Sequence, residues 1–230
     1  MKIAGLQRVT LIDYPGVVAA SIFIAGCNLA CGYCHNRWMI DADRVTEAIS
    51  VADLLAWLET RRGLLDGVCI SGGEPTLDPG LPDLIRSIRE MGYLVKLDTN
   101  GTFPQRLEAL LGEGLIDYVA MDIKAPLDGR YAGMAGVAIS SEPVRRSMAA
   151  LAKWGGAYEL RTTVGPGLGE KDLVDMAAEL ADAPRWILQP FEASDGVLES
   201  MRQAAHLTAE DLEALLPRLQ AAAPRVELRS

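Results

Sequence analysis

Three cysteines stand within eight positions of the chain, at Cys27, Cys31 and Cys34. A loop this short lets all three thiolates point towards one metal centre, and thiolates are the ligands of zinc sites and iron–sulfur clusters. A three-thiolate [4Fe–4S] cluster leaves one iron open for a ligand that is not protein. The fourth cysteine, Cys69, lies in an apolar run further along the chain, where we predict a core thiol.

Two other interpretations of this segment stay open. Cys31 to His35 matches the C-x-x-C-H string of haem attachment, but that use leaves Cys27 without a role and needs a secreted chain. A zinc site on the three cysteines and His35 is chemically allowed, although the adjacent Cys34 and His35 make poor joint ligands. We favour the cluster, because zinc does not explain the Gly-Gly-Glu segment that follows the next strand.

That segment and two aspartates supply further polar groups. Gly72 and Gly73 permit close backbone approach, so their carbonyls and the Glu74 carboxylate can accept hydrogen bonds from the ammonium of a bound amino acid. Asp98 and Asp122 end neighbouring strands, and two buried carboxylates this close repel unless a cation or a proton joins them. Lys124 and a bound metal cation are the candidate partners. The alternative for each aspartate is a turn or helix cap, and for Gly-Gly a simple turn.

The elements that must position these groups are six strands alternating with amphipathic helices. Apolar, β-branched runs predict strands at 17–24, 67–70, 93–97, 118–121, 158–164 and 186–188. Helical periodicity predicts helices from Ser50, near Pro82, at 105–111, 144–154 and 171–180, and at 212–222 with Thr208 and Asp211 as a cap. Every polar cluster follows a strand, which is the end where parallel α/β folds place active sites.

Repeated β-then-α units indicate parallel strands joined by right-handed crossovers. Eight such units typically need about 250 residues. Six units in 230 residues therefore predict an α/β fold, a partial (β/α)6 barrel, with an open doubly wound sheet as the alternative. No linker interrupts the pattern, so we predict a single domain over residues 1–230.

Composition and charge indicate in which compartment the protein works and which classes of partner it binds. Half of the residues are hydrophobic and 23% are charged, which is typical of a globular protein and excludes a disordered chain. The net charge of −9 and the lack of a basic stripe argue against nucleic-acid binding. The longest apolar run is too short to span a bilayer, and the N-terminus does not predict a signal peptide. We therefore expect a cytoplasmic protein that uses its cysteines for metal binding or catalysis, with no membrane or nucleic-acid partner.

The spacing C-x3-C-x2-C, with an aromatic residue at Tyr33, resembles that of the radical S-adenosylmethionine (SAM) superfamily. More narrowly, the chain resembles the anaerobic ribonucleoside-triphosphate reductase activating proteins, which are close to the pyruvate formate-lyase activating enzymes. The resemblance covers roughly residues 1 to 190 and rests on the segments 11–16, 27–36, 70–76, 96–101, 121–126 and 161–164.

The resemblance implies a [4Fe–4S] cluster on Cys27, Cys31 and Cys34, with SAM chelating the open iron. The implied catalytic residues are these cysteines with Glu74 and Lys124. The implied SAM site comprises Tyr33, Gly72, Gly73, Glu74, Asp98, Asn100, Lys124, Arg161 and Thr163. A monovalent cation is implied on Asp98, Thr99, Asp122 and the backbone carbonyl of Ala120. One departure is visible: Glu192 follows Pro190-Phe191 where those activating enzymes have a histidine.

The function implied by the resemblance is reductive cleavage of SAM to a 5′-deoxyadenosyl radical, which abstracts hydrogen from a glycine of a glycyl-radical enzyme. An anaerobic ribonucleotide reductase is the implied partner, and a flavodoxin- or ferredoxin-type protein the implied electron donor. The alternatives are a radical SAM enzyme acting on a small molecule or a peptide, and a metal-binding regulator without turnover. We expect the Gly-rich loop from Lys124 to Ser141 to be a mobile element that docks the partner.

Overall fold

The computed structural model describes residues 1–229 and contains one eight-stranded sheet. The strands are β1 (Ile3–Thr10), β2 (Ala19–Ile24), β3 (Gly67–Gly72), β4 (Leu94–Thr99), β5 (Tyr118–Asp122), β6 (Ala157–Val164), β7 (Trp186–Pro190) and β8 (Val226–Leu228). They lie side by side in chain order, with β2 to β8 parallel and β1 antiparallel to β2. Among the described residues β1 and β8 do not pair with each other, so the sheet is an open, partial barrel, as predicted.

Within residues 1–229 there are eight α-helices, six where the periodicity predicts a helix and two short ones, the fourth and the seventh, where it does not. They are α1 (Val51–Glu59), α2 (Leu81–Glu90), α3 (Pro104–Gly112), α4 (Tyr131–Ala135), α5 (Glu142–Trp154), α6 (Glu170–Glu179), α7 (Glu199–Arg202) and α8 (Ala209–Gln220). Ser50 caps α1 through a hydrogen bond from the Asp53 amide, and Thr208 and Asp211 form a reciprocal capping box at α8. No helix in residues 1–229 is both long enough and apolar enough to cross a membrane.

The strands place polar and apolar side chains on opposite faces of the sheet. In β4, Val95 and Leu97 belong to the hydrophobic core, whereas Lys96 and Asp98 pair with each other on the other face. Side chains two positions apart share a face because the strand period is two. The polar face of the neighbouring strands carries Ser71 of β3, Asp122 of β5 and Arg161 of β6, and Asp98 contacts the first and the last of these.

Two strands lie outside the six that the sequence predicts. The antiparallel strand β1 is an edge strand that pairs with β2 alone in the sheet, and Gln7, Arg8 and Val9 in it are exposed. Its mixed polar sequence follows from that exposure, because an edge strand needs no continuous apolar run. The strand β8 has only three residues, which is too few to show a period.

Candidate active site

A cavity of about 230 Å³ lies at the carboxyl ends of the parallel strands, and the three clustered cysteines line it. The other predicted site residues on its wall are Tyr33, Gly72, Gly73, Asp98, Thr99, Asn100, Asp122, Lys124, Arg161 and Thr163. Glu74 and Ala120 are not on the wall. The wall also includes residues that the motifs do not assign to the site: Leu29, His35, Asn36, Ile40 and Ser71. All of them except Ile40 stand within or beside a motif, and that closeness in sequence could have identified them as site residues.

The cysteine thiols are suited to a metal cluster. Cys31 is buried and Cys27 and Cys34 are half-buried. Burial raises the pKa of the Cys27 thiol to about 11 and also raises the pKa of Cys34, so metal binding must displace a proton from each of these two thiols. Cys69 is buried in β3, as predicted, and is not on the cavity wall.

The three cysteines are a donor set that iron–sulfur clusters use. Within residues 1–229, no three side chains of His, Cys, Asp or Glu stand close enough to hold one ion. Zinc needs its ligands gathered around one centre, whereas the cysteines of a [4Fe–4S] cluster each bind a different iron. Cys27, Cys31 and Cys34 line one cavity, which puts three thiolate donors beside the space that a cluster would take.

The cysteine loop lies directly against the end of β3, where only glycine fits. A Cβ atom on Gly73 would stand 2.1 Å from the Gly26 carbonyl oxygen, and one on Gly72 would stand 2.3 Å from the Ile24 carbonyl oxygen. Gly72 also has a φ of 126°, a conformation that favours glycine. The Glu74 amide donates to the Gly26 carbonyl at 2.8 Å. The lack of side chains at Gly72 and Gly73 therefore lets the cysteine loop pack closely on the end of β3. It also leaves the backbone of both residues accessible from the cavity.

Glu74 is buried behind the cavity wall, with 1% of its surface exposed. Its carboxylate accepts hydrogen bonds from the Asn100 amide at 2.6 Å, from the Thr99 hydroxyl at 2.7 Å and from both the amide and the hydroxyl of Thr76. Burial raises the pKa of Glu74, against the opposing effect of these hydrogen bonds. In this arrangement Glu74 ties the end of β3 to the end of β4, and protein donors occupy both of its oxygens.

Two further segments pack on the cysteine loop. On one side, the Ala30 amide donates to the carbonyl of Ala135 at the end of α4, at 2.9 Å. Tyr131 and Ala135 of this helix are fully buried. Residues 131–135 of the loop that we expect to be mobile therefore form a short helix packed on the cysteine loop, and its docking role stays a prediction. On the other side, the Leu198 amide donates to the Gly32 carbonyl at 3.3 Å.

The second of these segments contains the predicted departure at Glu192. The Glu192 side chain is exposed, and its backbone carbonyl lies 2.8 Å from His35 Nε2. The preceding Phe191 is buried, with its ring centroid 6.4 Å from that of His35 and 5.1 Å from that of His206. Both histidines of the chain thus pack on Phe191.

Five charged side chains meet at the base of the cavity, and we call them the charged cluster: Lys96, Asp98, Asp122, Lys124 and Arg161. Arg161 bridges the two carboxylates, with Nη1 3.1 Å from Asp98 Oδ2 and Nε 3.0 Å from Asp122 Oδ1. Lys124 Nζ donates to Asp122 Oδ2 at 2.8 Å, and Lys96 Nζ pairs with Asp98 Oδ1. Arg161, flanked by the two lysines, therefore joins carboxylates that would otherwise repel.

These contacts keep Asp98, Asp122 and Lys124 ionised despite their burial. Burial raises the pKa of Asp98 and of Asp122, but the nearby cations outweigh it and hold both values below the ordinary range. Burial lowers the pKa of Lys124, but the Asp122 carboxylate outweighs it and holds the value well above the ordinary range. Counted as formal charges, the two aspartates, the two lysines and Arg161 sum to one positive charge.

The monovalent cation stays a prediction. Asp98, Thr99 and Asp122 line the cavity, whereas Ala120 is fully buried in the central strand β5, in register between Asp98 and Glu159.

Tyr33 adds another polar group to the cavity wall. Its hydroxyl is buried without a hydrogen-bond partner in the described part of the chain, which leaves an unused donor close to the cysteines.

Sequence comparison connects this site with known proteins. The family model of the radical SAM superfamily matches residues 21–180. A protein of Methanocaldococcus jannaschii named as a glycyl-radical enzyme activating enzyme is 34% identical over 211 residues, covering 87% of this chain and 84% of its own. The pyruvate formate-lyase 1-activating enzyme of Escherichia coli is 30% identical over 191 residues, covering 80% of this chain and 75% of its own.

Comparison of structures shows the same fold. SuiB of Streptococcus suis, in a crystal structure with the precursor peptide SuiA, matches with a TM-score of 0.72 at 15% sequence identity. The match covers 91% of this chain and 48% of SuiB, so this chain spans about half the length of that protein. At this identity the likeness concerns the fold alone.

Proposed function

The chain belongs to the radical SAM superfamily, and we propose that it is an activating enzyme that generates the radical on a glycine of a glycyl-radical enzyme. One observation carries the proposal. The three cysteines, the Gly72-Gly73 backbone and a charged cluster with one excess positive charge line or underlie a single cavity. Together these groups match a cluster with one open iron and an amino acid bound beside it.

In this proposal Cys27, Cys31 and Cys34 hold a [4Fe–4S] cluster and the cavity holds SAM. When bound, the reduced cluster supplies the electron that cleaves SAM to methionine and a 5′-deoxyadenosyl radical, the species that abstracts hydrogen. The chain's own residues bind and orient. The backbone at Gly72 and Gly73 receives the amino group of SAM, and Glu74 holds this turn and Asn100 in position.

Lys124 and Arg161 are the proposed partners of the SAM carboxylate. Both line the cavity, and both belong to the charged cluster with its excess positive charge. A carboxylate placed there neutralises that charge through charge-assisted hydrogen bonds, which are stronger than neutral ones. The remaining proposed SAM contacts on the cavity wall are Tyr33, Asp98, Asn100 and Thr163.

The resemblance to reductase activating proteins, together with the activating enzymes found by sequence comparison, supports a glycyl-radical partner. We propose an anaerobic ribonucleotide reductase as that partner, and a flavodoxin- or ferredoxin-type protein as the electron donor. The experiment is to mix the reduced, cluster-loaded chain with SAM and the reductase and to record electron paramagnetic resonance.

A glycyl-type doublet is expected on the reductase, and it should vanish when the target glycine is replaced by alanine. The matched control is the Cys31→Ala chain, which should give no doublet. An absent doublet, together with 5′-deoxyadenosine formation that depends on a small metabolite or peptide, would overturn the activating role in favour of a radical SAM enzyme with another substrate.

A further inference from the structure

We infer that Lys96 serves as a built-in cation for the Asp98 carboxylate, so that this site takes no monovalent metal ion. The inference disagrees with the cation that the family resemblance implies. It extends the proposed function, but the geometry behind it stands without SAM.

The first observation is the depth at which the Lys96 ammonium is held. Its side chain is 1% exposed, and its Nζ pairs with Asp98 Oδ1. The other neighbours of Nζ are the Cys69 sulfur at 3.8 Å and the face of the Tyr118 ring, 6.0 Å from its centroid. A buried ammonium is costly unless a carboxylate compensates it. Asp98 is the one carboxylate in contact with Lys96 among residues 1–229, so the two charges depend on each other.

The second observation is that protein donors already use the oxygens a metal ion would need. Asp98 Oδ2 accepts from Ser71 Oγ and Arg161 Nη1, each at 3.1 Å, while Lys96 takes Oδ1. The Thr99 hydroxyl donates to Glu74 and accepts from the Gly101 amide. With the Asp122 oxygens bonded to Arg161 and Lys124, each side chain implied as a cation ligand has a partner within the protein.

The third observation is the sign of the net charge. The charged cluster carries one positive charge in excess before any ligand binds. A sodium or potassium ion would raise that excess in a poorly solvated region, where repulsion between like charges is much stronger than in water. A carboxylate would remove it. The charged cluster therefore favours binding of an anion. Lys96 supplies the positive charge beside Asp98 that a metal ion would otherwise supply.

The test compares the wild-type chain with Lys96→Met, which keeps an unbranched side chain one atom shorter and removes its charge. Lys96→Arg is the matched control that keeps the charge. Two quantities are measured in potassium chloride, in sodium chloride and in choline chloride at equal ionic strength. The first is the melting temperature of the chain without cluster or SAM. The second is the SAM affinity of the cluster-loaded chain.

We expect the wild-type chain and Lys96→Arg to give the same melting temperature and the same SAM affinity in all three salts. Lys96→Met should melt at a higher temperature in sodium or potassium than in choline, because Asp98 then takes an ion from solution. Its SAM affinity should fall by about tenfold in choline, because Asp98 then lacks a compensating cation and its charge repels the SAM carboxylate.

A wild-type chain that melts earlier or binds SAM more weakly in choline would overturn the inference, even if Lys96→Met does not fold. A folded Lys96→Met chain that is insensitive to the salt would also overturn it. If the wild-type chain binds no SAM in any salt, the proposed function fails, and the melting temperatures still decide the role of Lys96.

Discussion

The four cysteines differ in what surrounds each thiol. Cys27, Cys31 and Cys34 line the cavity, whereas Cys69 is buried in β3 beside Asp98. We predict that alanine at any of the first three positions abolishes the cluster, because each thiolate holds one iron. Cys69→Ala is the matched control and should load normally. Iron and sulfide are counted after anaerobic reconstitution, and full loading of Cys31→Ala would contradict the assignment.

Asp122 links the stability of the chain to pH. Arg161 and Lys124 hold its pKa below the ordinary value of 3.8, so its stabilising effect is present above about pH 4 and is lost as the pH falls through the lowered value. Asp122→Asn should therefore lower the free energy of unfolding by about 1.5–3 kcal/mol at pH 7.

The difference between Asp122→Asn and the wild-type chain should shrink as the pH drops below about 4, in urea titrations from pH 7 to pH 3. Asp195→Asn, at a fully exposed side chain, is the control and should change stability by less than about 1 kcal/mol. If the difference in free energy of unfolding between Asp122→Asn and the wild type stays constant over this pH range, the ion pairs of Asp122 do not stabilise the folded chain.

At the scale of elements, the junction between β3 and the cysteine loop depends on the absence of a side chain at Gly73. Gly73→Ala places a Cβ atom 2.1 Å from the Gly26 carbonyl oxygen, so the loop must move away. We predict lower iron loading for this variant. Gly129→Ala, where an added Cβ meets nothing within 4 Å, is the control and should load like the wild type. Equal loading of the two variants would refute the close-approach argument.

The neighbouring junction between β3 and β4 depends on Glu74. In Glu74→Gln an amide nitrogen must face one of the donors that now bond the carboxylate, which leaves a buried donor unpaired. We expect a loss of about 1.5–3 kcal/mol in the free energy of unfolding and weaker SAM binding, with the cluster retained. The exposed Glu47→Gln serves as control in the same urea titrations and SAM binding assay. Unchanged stability in Glu74→Gln would remove Glu74 from the support of the site.

At the scale of the whole molecule, the six central parallel strands can be predicted because each one carries a run of buried apolar residues between helical segments. The strands β1 and β8 cannot, because one is an exposed edge and the other has three residues. The short helix α4 is hidden by its glycines, which suggest a flexible loop until the burial of Tyr131 is known.

The predicted site follows the same division. The cavity-lining residues carry signals in spacing and in their places at strand ends, which is why most of them can be found in the sequence. The position of Glu74 behind the wall cannot be found there, because it depends on donors from Thr99 and Asn100 at the end of another strand. Lys96 can be found in part, since it stands two residues before Asp98 on the same strand and must share its face.

The measurement that tests the central claim most directly is the release of 5′-deoxyadenosine by the reconstituted chain. The chain is loaded with iron and sulfide under anaerobic conditions, reduced and given SAM, and the products are quantified, with Cys31→Ala treated in parallel. The account predicts about four irons per chain and 5′-deoxyadenosine with methionine in equal amounts from the wild type, and neither product from the variant. A wild-type chain that binds one zinc ion, or that loads the cluster and leaves SAM intact, would contradict it.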